Sequence, residues 1–406
     1  MIEKIQIENY RSCFDTAFEL EPDLSVLIGP NGSGKTNLLN AFVLLRKLSS
    51  EQLYGHHEEE QATDESRLKV WFRIKGRRAS LTADLGLFTN EQNQDVIVGS
   101  RESWYAKDFT NSAKRIKAPL ALARYFSNDG MLIHSSRRRQ MMFRFGREFN
   151  VPPESFRVPF STIARYLSEI KYYSASQFTN PSRCPVSFQV ETEGPTSHGP
   201  RRGGHGKFLF DLFREYKGRQ DSNYDSFLGV IGPNGIGLVN KIDFKEIPTS
   251  SIEYSVRSGG KVRKEKRRKM LVIPQFTVGR NNLSPSQLSE GTFKTITLLF
   301  YLMTETSTAL LIEEPEVCVH HGLLTSIIEL IKTYSRQKQI ILSTHSDFVL
   351  DQIEPRHVYK VSRDNKVGTK VTHVTESLSS AELMALRHYL DSEGNLGEYW
   401  RHGGLE

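Results

Sequence analysis

Leu24-Ser25-Val26-Leu27-Ile28-Gly29-Pro30-Asn31-Gly32-Ser33-Gly34-Lys35-Thr36-Asn37-Leu38-Leu39 decides how this chain is read. Its first five residues are almost continuously apolar, as in a strand buried on both faces. Leu38, Leu39, Phe42 and Leu45 then recur at helical spacing. Between strand and helix, Gly29 to Thr36 fits G-x-x-x-x-G-K-[ST] completely and in the context that pattern requires. Glycines let successive N–H groups curl around phosphate oxygens, and a helix N-terminus adds partial positive charge. Lys35 is then placed for the β and γ phosphates and Thr36 for Mg²⁺. Gly29, Pro30, Asn31, Gly32, Ser33, Gly34, Lys35, Thr36 and the following Asn37 form the candidate nucleotide loop. A glycine-rich turn with no ligand would not need the lysine, the hydroxyl and both flanking elements together. A near copy, Gly232-Pro233-Asn234-Gly235-Ile236-Gly237, has Leu238 where the lysine is needed and is read as a plain turn.

Outward from this stretch, Ile5 and Ile7 alternate with polar residues, as do Leu68, Val70, Phe72 and Ile74, then Leu81, Ala83 and Leu85. These are strands, so the first hundred residues read as strand, loop, helix and hairpin. Order of the same kind returns near Asn282. A helix carrying Phe293, Ile296, Leu299 and Leu302 leads to the buried strand Ala309 to Ile312. A helix carrying Leu324, Ile327, Ile328 and Ile331 leads to the strand Ile340 to Ser343. Alternation of strand and helix implies an α/β fold with parallel strands and helices on the sheet's faces.

Two further clusters carry chemistry. Glu313-Glu314-Pro315-Glu316 follows the buried strand Leu310-Leu311-Ile312, and ligands of open parallel sheets bind at that carboxyl end. The first glutamate can hold Mg²⁺ and the second can polarise water against a γ-phosphate. Alone, the cluster would read as an acidic turn; beside a phosphate loop it reads as a site. Leu288-Ser289-Glu290-Gly291-Thr292 opens a helix, where Ser289 alone would be an ordinary N-cap.

The chain has 406 residues, 38% hydrophobic and 25% charged, enough for two or three domains and unlike a disordered or fibrous composition. Three dispersed cysteines, Cys13, Cys184 and Cys318, make neither a disulfide framework nor a zinc pattern. No run approaches the roughly 18 apolar residues of a membrane span, and the start lacks a signal sequence, so a cytoplasmic protein without a membrane partner is expected. A net charge of +7 permits an anionic partner without demanding one.

From residue 101 to 281, aromatics, prolines and the basic clusters Arg137-Arg138-Arg139, Arg201-Arg202 and Arg257 to Lys269 interrupt long periodicity. This stretch is read as an inserted, mainly helical lobe in a discontinuous head made of 1–100 and 282–406. The β-prone run Ile170 to Ser174 is the exception, a candidate to return to the main sheet. Eight of the thirteen residues from Arg257 to Lys269 are basic, and Gly259-Gly260 suggests a hairpin tip that could meet DNA or an acidic partner. A solvated surface run is the alternative, since no aromatics are interleaved. No heptad pattern long enough for a coiled-coil arm is present.

The order phosphate loop, Leu-Ser-Glu-Gly-Thr, double-glutamate strand and Ser343-Thr344-His345-Ser346 resembles the head of ABC-type ATPases. That resemblance implies a mixed sheet flanked by helices and an ATP and Mg²⁺ site. It makes Glu313 the metal-side acid with Thr36, Glu314 the catalytic base and His345 a switch at the γ-phosphate. Ser289 and Gly291 would act in trans, so at least a homodimer is implied. Gln177 is either the Q-loop glutamine or a polar loop residue. The opening Ile7-Glu8-Asn9-Tyr10-Arg11-Ser12 and the run Ile312-Glu313-Glu314-Pro315-Glu316 before Val319-His320-His321 look like the OLD/RecF-like branch. That branch includes stand-alone ATPases of antiphage systems such as the Septu type. Too few residues follow His345 for the Toprim nuclease fused to OLD enzymes, so a separate nuclease or effector partner is expected. A RecF-like DNA-repair clamp is the alternative. A transporter ATPase subunit is the third reading, disfavoured by the large basic insert and by Glu290-Gly291-Thr292 where transporters have Gly-Gly-Gln. Glu313 also departs from the Asp of many ABC ATPases.

Overall fold

A computed structural model describes residues 1–49, 64–90, 95–125, 151–191, 204–218, 223–256, 262–304, 307–317, 319–392 and 394–403. Arg137-Arg138-Arg139, Arg201-Arg202, Cys318 and 257–261, with Gly259-Gly260, lie outside the described residues. The chain divides into two compact units. The first comprises Met1–Tyr172, Thr306–Glu314 and Ile328–Glu406, and the second Tyr173–Glu305 and Pro315–Ile327.

In chain order the elements begin with strands β1 (Ile2–Tyr10), β2 (Cys13–Glu19) and β3 (Leu24–Ile28) and helix α1 (Lys35–Leu48). Strands β4 (Asp64–Ile74), β5 (Arg77–Thr89), β6 (Asp95–Tyr105) and β7 (Ile116–Lys117) follow, then α2 (Glu154–Ser168) and β8 (Lys171–Ser174). Next come β9 (Phe188–Glu191), α3 (His205–Lys217), α4 (Asn223–Ile231), β10 (Lys241–Val256), β11 (Val262–Val278), β12 (Asn281–Leu283) and α5 (Glu290–Met303). The last part holds β13 (Ala309–Glu313), α6 (His321–Ser335), β14 (Gln339–Thr344), β15 (Val358–Asp364) and β16 (Gly368–His373).

The main sheet is mixed, in the order β7-β6-β5-β4-β1-β2-β16-β15-β3-β14-β13-β8. Its antiparallel half is built from the alternating strands, and its parallel part is β15, β3, β14 and β13. Every residue of β3, β13 and β14 is buried, as parallel strands covered on both faces require. Helix α1 buries Leu38, Leu39, Phe42, Leu45 and Leu48 in a core shared with Ile5, Ile7, Leu68, Val70 and Leu81. Trp104 sits edge-on to Phe160 at 5.1 Å and donates its indole N–H to the Ala118 carbonyl at 2.9 Å.

The second unit differs from the helical lobe expected at 101–281. Strands β6 and β7 and helix α2 fall in the first unit, and the second is organised on a sheet β10-β11-β12, with β9 on β11. Beneath the charges that masked it, a period of two is present: Ile242, Phe244, Val272 and Phe276 are buried. Backbone pairing of β10 with β11 runs from Lys241↔Thr277 to Val256↔Val262, so Val262 to Lys269 of the basic run is paired strand. Helices α3, α4 and α5 add an aromatic core in which Phe208 meets Phe293 at 5.4 Å and Phe227 meets Phe300 at 5.6 Å. The copy of the glycine loop forms a turn after α4, with the Gly235 N–H donating to the Gly232 carbonyl at 3.0 Å.

One buried amide ties the first unit's strand starts together. Gln339 Oε1 accepts from the Ile2 N–H at 3.2 Å and from the Tyr166 hydroxyl at 2.7 Å. Its Nε2 donates to the carbonyls of Ile2 and Glu21, each at 2.9 Å. Burial pushes the Tyr166 phenol above its ordinary pKa, which keeps it a donor. Gln339→Leu leaves these buried groups without partners and should destabilise the fold by about 3 kcal/mol. Urea unfolding measures this, and a loss below about 1 kcal/mol would mean that water or neighbours replace the amide.

Candidate functional site

At the end of β3 the glycines are demanded by close approach. A Cβ on Gly29 would stand 2.1 Å from the Val361 carbonyl oxygen, and one on Gly34 would stand 2.0 Å from Thr369 Oγ1. Gly34 also holds φ 108°, a left-handed value that costs other residues strain. As N-cap of α1 it supplies no side-chain acceptor, and no acidic residue lies in the first turn, so the helix start keeps its positive character. The Ser33 hydroxyl is buried with no hydrogen-bond partner among the described residues.

A relay of short polar side chains braces the loop from behind. Asn37 Nδ2 donates to Ser12 Oγ at 2.7 Å, Ser12 lies 2.7 Å from Thr369 Oγ1, and Thr369 donates to the Ser33 carbonyl at 3.1 Å. Because the Thr369 proton is committed to Ser33, the Ser12 proton points at Thr369. Arg11 donates to Asn37 Oδ1 at 3.4 Å and pairs with Asp95 at 3.0 Å.

Lys35, Glu313, Glu314 and His345 meet at the carboxyl ends of β3, β13 and β14. The Lys35 ammonium donates to the carbonyls of Gly29 at 2.8 Å and Pro30 at 3.1 Å. It also lies 3.4 Å from His345 Nδ1, while His345 Nε2 lies 3.4 Å from Glu314 Oε1. An ammonium only donates, so Nδ1 accepts in this arrangement and Nε2 carries the proton toward Glu314. Thr36 Oγ1 donates to Glu313 Oε1 at 2.5 Å, and the Tyr172 hydroxyl donates to Glu313 Oε2 at 2.5 Å. The neighbouring glutamates have unlike surroundings: the Glu313 residue is 8% exposed, whereas the Glu314 side chain is 38% exposed. Glu314 adopts φ 49° and its N–H donates to the Ser343 carbonyl at 2.9 Å.

These residues border a cleft of about 370 Å³ lined by Asn31, Gly32, Gly34, Lys35, Thr36, Asn37, Glu314 and His345, with Ser12 and Arg363 added. Glu313 is joined to it through Thr36, and Gly29 and Pro30 through their bonds to Lys35. Ser289, Gly291 and Gln177 belong to the second unit. Ser289 caps α5, accepting from the Thr292 N–H at 3.2 Å, and Glu290 pairs with the buried Lys294 at 2.7 Å. Gln177 is exposed in the 3₁₀ turn Ala175–Phe178, anchored by the buried Phe178.

Sequence reasoning missed Tyr172, Arg363 and Thr369, which come from strands far along the chain and match no local pattern. Ser12 lay inside the opening motif but had no role assigned. The donor set fits Mg²⁺-ATP: a buried lysine, a loop that admits no Cβ at Gly29 or Gly34, and an orphan hydroxyl at Ser33. Among the described residues no group of three or more His, Cys, Asp or Glu is placed to hold a metal. Thr36 and Glu313, whose side-chain oxygens lie 2.5 Å apart, are the residues that would hold Mg²⁺ together with phosphate oxygens.

Gly34→Ala forces a methyl group into Thr369 at a left-handed position. It should cost about 2 kcal/mol in stability and weaken nucleotide binding at least about tenfold. Thermal unfolding and a nucleotide titration check both, and an unchanged protein would contradict the close packing.

Residues 1–197 match the family described as "AAA ATPase domain", and residues 213–351 match "AAA domain, putative AbiEii toxin, Type IV TA system". The chain is 33% identical over 86 residues to the DNA replication and repair protein RecF of Bacillus cytotoxicus, covering 21% of this chain and 23% of that protein. It is 43% identical over 56 residues to the DNA double-strand break repair Rad50 ATPase of Methanopyrus kandleri, covering 14% of this chain and 6% of that protein. The chain thus spans less than a quarter of either relative. Among solved structures, the SMC head domain from Thermotoga maritima aligns with a TM-score of 0.40 at 12% identity, over 92% of this chain and 98% of that one. The Smc head bound to the C-winged helix domain of ScpA aligns with a TM-score of 0.47 at 13% identity, over 95% and 99%. Two AAA ATPase-domain matches in succession, with RecF and Rad50 among the relatives, show an ATPase built from AAA ATPase domains, consistent with an SMC/RecF-like ABC ATPase head.

Proposed function

We propose that this chain binds ATP with Mg²⁺ in the cleft of its first unit and hydrolyses it, as the ATPase of an oligomer that regulates a separate nuclease or effector. The observation that carries the reading is the convergence of Lys35, Thr36, Glu314 and His345 on one cleft, with Glu313 bonded to Thr36. Asn31 to Asn37 offer backbone N–H groups and the start of α1 to the phosphates, and Lys35 turns from loop carbonyls to β and γ oxygens. Thr36 and Glu313 hold Mg²⁺, which when bound neutralises charge on the transferring phosphoryl group. Glu314 accepts the proton of the attacking water, and His345, with Nε2 3.4 Å from its carboxylate, orients it from the γ-phosphate side. Gln177 is, in this reading, either the Q-loop glutamine or a polar loop residue, and its substitution decides between the two.

Ser289 and Gly291 open α5 of the second unit, and in this reading they close over the nucleotide held by another copy. A homodimer or larger assembly follows, acting in the cytoplasm. Antiphage defence is the setting proposed, on the resemblance of Ile7 to Ser12 and Ile312 to His321 to the OLD/RecF-like branch. A RecF-like DNA-repair role is the second reading, favoured by the RecF relatives. Direct contact with DNA belongs to either role, with the basic segment that includes Val262 to Lys269 as the contact proposed.

Glu314→Gln keeps the shape of the side chain but cannot take a proton, so ATP binding should persist while turnover falls by about a hundredfold or more. A phosphate-release assay checks this; if Glu313→Gln stops turnover and leaves metal binding intact, the two roles are exchanged. Lys35→Ala and Ser289→Arg should each be inactive alone. Mixed, they should recover partial ATPase activity, because one composite site per heterodimer is intact. No recovery in mixtures shown to contain heterodimers would overturn sharing in trans.

A further inference from the structure

Glu313 receives two hydroxyl donors, one on each carboxylate oxygen. Thr36 reaches Oε1 from α1, and Tyr172 reaches Oε2 from the edge strand β8, each at 2.5 Å. The residue is 8% exposed, so these donors replace water that a carboxylate would otherwise bind. A glutamate side chain turns about three torsions and can present either oxygen to a cation. With Oε2 held by a phenol on a sheet strand, that freedom is removed and Oε1 alone is left facing Thr36. Tyr172 meets Glu313, Glu313 meets Thr36, and Thr36 lines the cleft, so the phenol is connected to the site through Glu313.

We propose that Tyr172 is a positioning residue: its hydroxyl fixes the orientation of Glu313, and through it the affinity of the site for a divalent cation. The inference rests on the reading of Glu313 as the metal-side acid. Groups that orient a metal ligand from behind commonly change metal affinity by about tenfold or more when removed. Tyr172→Phe keeps the ring and its packing and deletes only the donor.

The experiment measures Mn²⁺ binding to the protein complexed with the non-hydrolysable analogue AMP-PNP, followed by electron paramagnetic resonance. AMP-PNP affinity in EDTA is measured alongside. For Tyr172→Phe the expected result is Mn²⁺ affinity about tenfold weaker with AMP-PNP affinity in EDTA within about twofold of wild type. Glu313→Gln should weaken Mn²⁺ binding at least as much. Wild-type Mn²⁺ affinity in Tyr172→Phe, with affinity lost in Glu313→Gln, overturns the role of Tyr172 and leaves Glu313 as the metal-side acid. Wild-type Mn²⁺ affinity in Glu313→Gln overturns that assignment, and the inference with it. Parallel loss of AMP-PNP binding in EDTA by Tyr172→Phe would mark a general disturbance and overturn the positioning role.

Discussion

The register of three parallel strands governs everything at the site. Leu27 of β3 pairs with Ser343 of β14, and Ser343 pairs with Glu313 of β13. Each strand runs out at the same level, so the residues that follow, Gly29, His345 and Glu314, leave the sheet along one edge. A slip of one residue would turn every side chain of a strand to the other face and separate these groups. The register is held from within by strands buried on every residue and from the opposite end by Gln339. The Ile340 N–H, bonded to the Asp23 carbonyl at 2.7 Å, adds a fixed point where β3 and β14 begin.

From this constraint it is clear why part of the site could be read in the sequence and part could not. Gly29 to Thr36, Glu313-Glu314 and His345 each follow directly on a buried apolar strand, so pattern and chemistry are adjacent in the chain. Tyr172 and Thr369 reach the same groups across the sheet, from β8 and β16, and only topology brings them there. The fold follows the same division. The helix of Leu38 to Leu45 and the strands of the first hundred residues showed their periods plainly. Strand β2 did not, since Phe14, Asp15 and Thr16 interrupt its alternation, and β11 was hidden by its lysines and arginines. The limit of the inserted lobe was misplaced because Trp104, Phe156 and Phe160, taken for part of it, pack in the core of the first unit.

Glu314 shows what the end of β13 contributes beyond placing two acids in a row. Its left-handed φ of 49° is a conformation that costs a residue with a side chain about 1 kcal/mol or more. The bond from its N–H to the Ser343 carbonyl holds the turn in place. The consequence is a division of environments. Glu313 stays with the sheet, buried and hydrogen-bonded by two hydroxyls, while Glu314 stands in the open cleft beside His345. Two carboxylates whose surroundings differ so strongly are suited to different work, one to holding a cation and the other to exchanging a proton with water.

Lys35 too is oriented by uncharged groups of the loop. Its carbonyl partners at Gly29 and Pro30 give the ammonium direction without cancelling its charge, and His345 meets it with an imidazole nitrogen that can only be an acceptor there. His345 extends the effect, because its other nitrogen faces Glu314. A phosphate oxygen that draws the Lys35 ammonium away from Nδ1 would alter the partner on one side of the ring and hence the contact with Glu314 on the other. On the proposed nucleotide reading, His345 would carry the arrival of a phosphate to Glu314 through a single side chain.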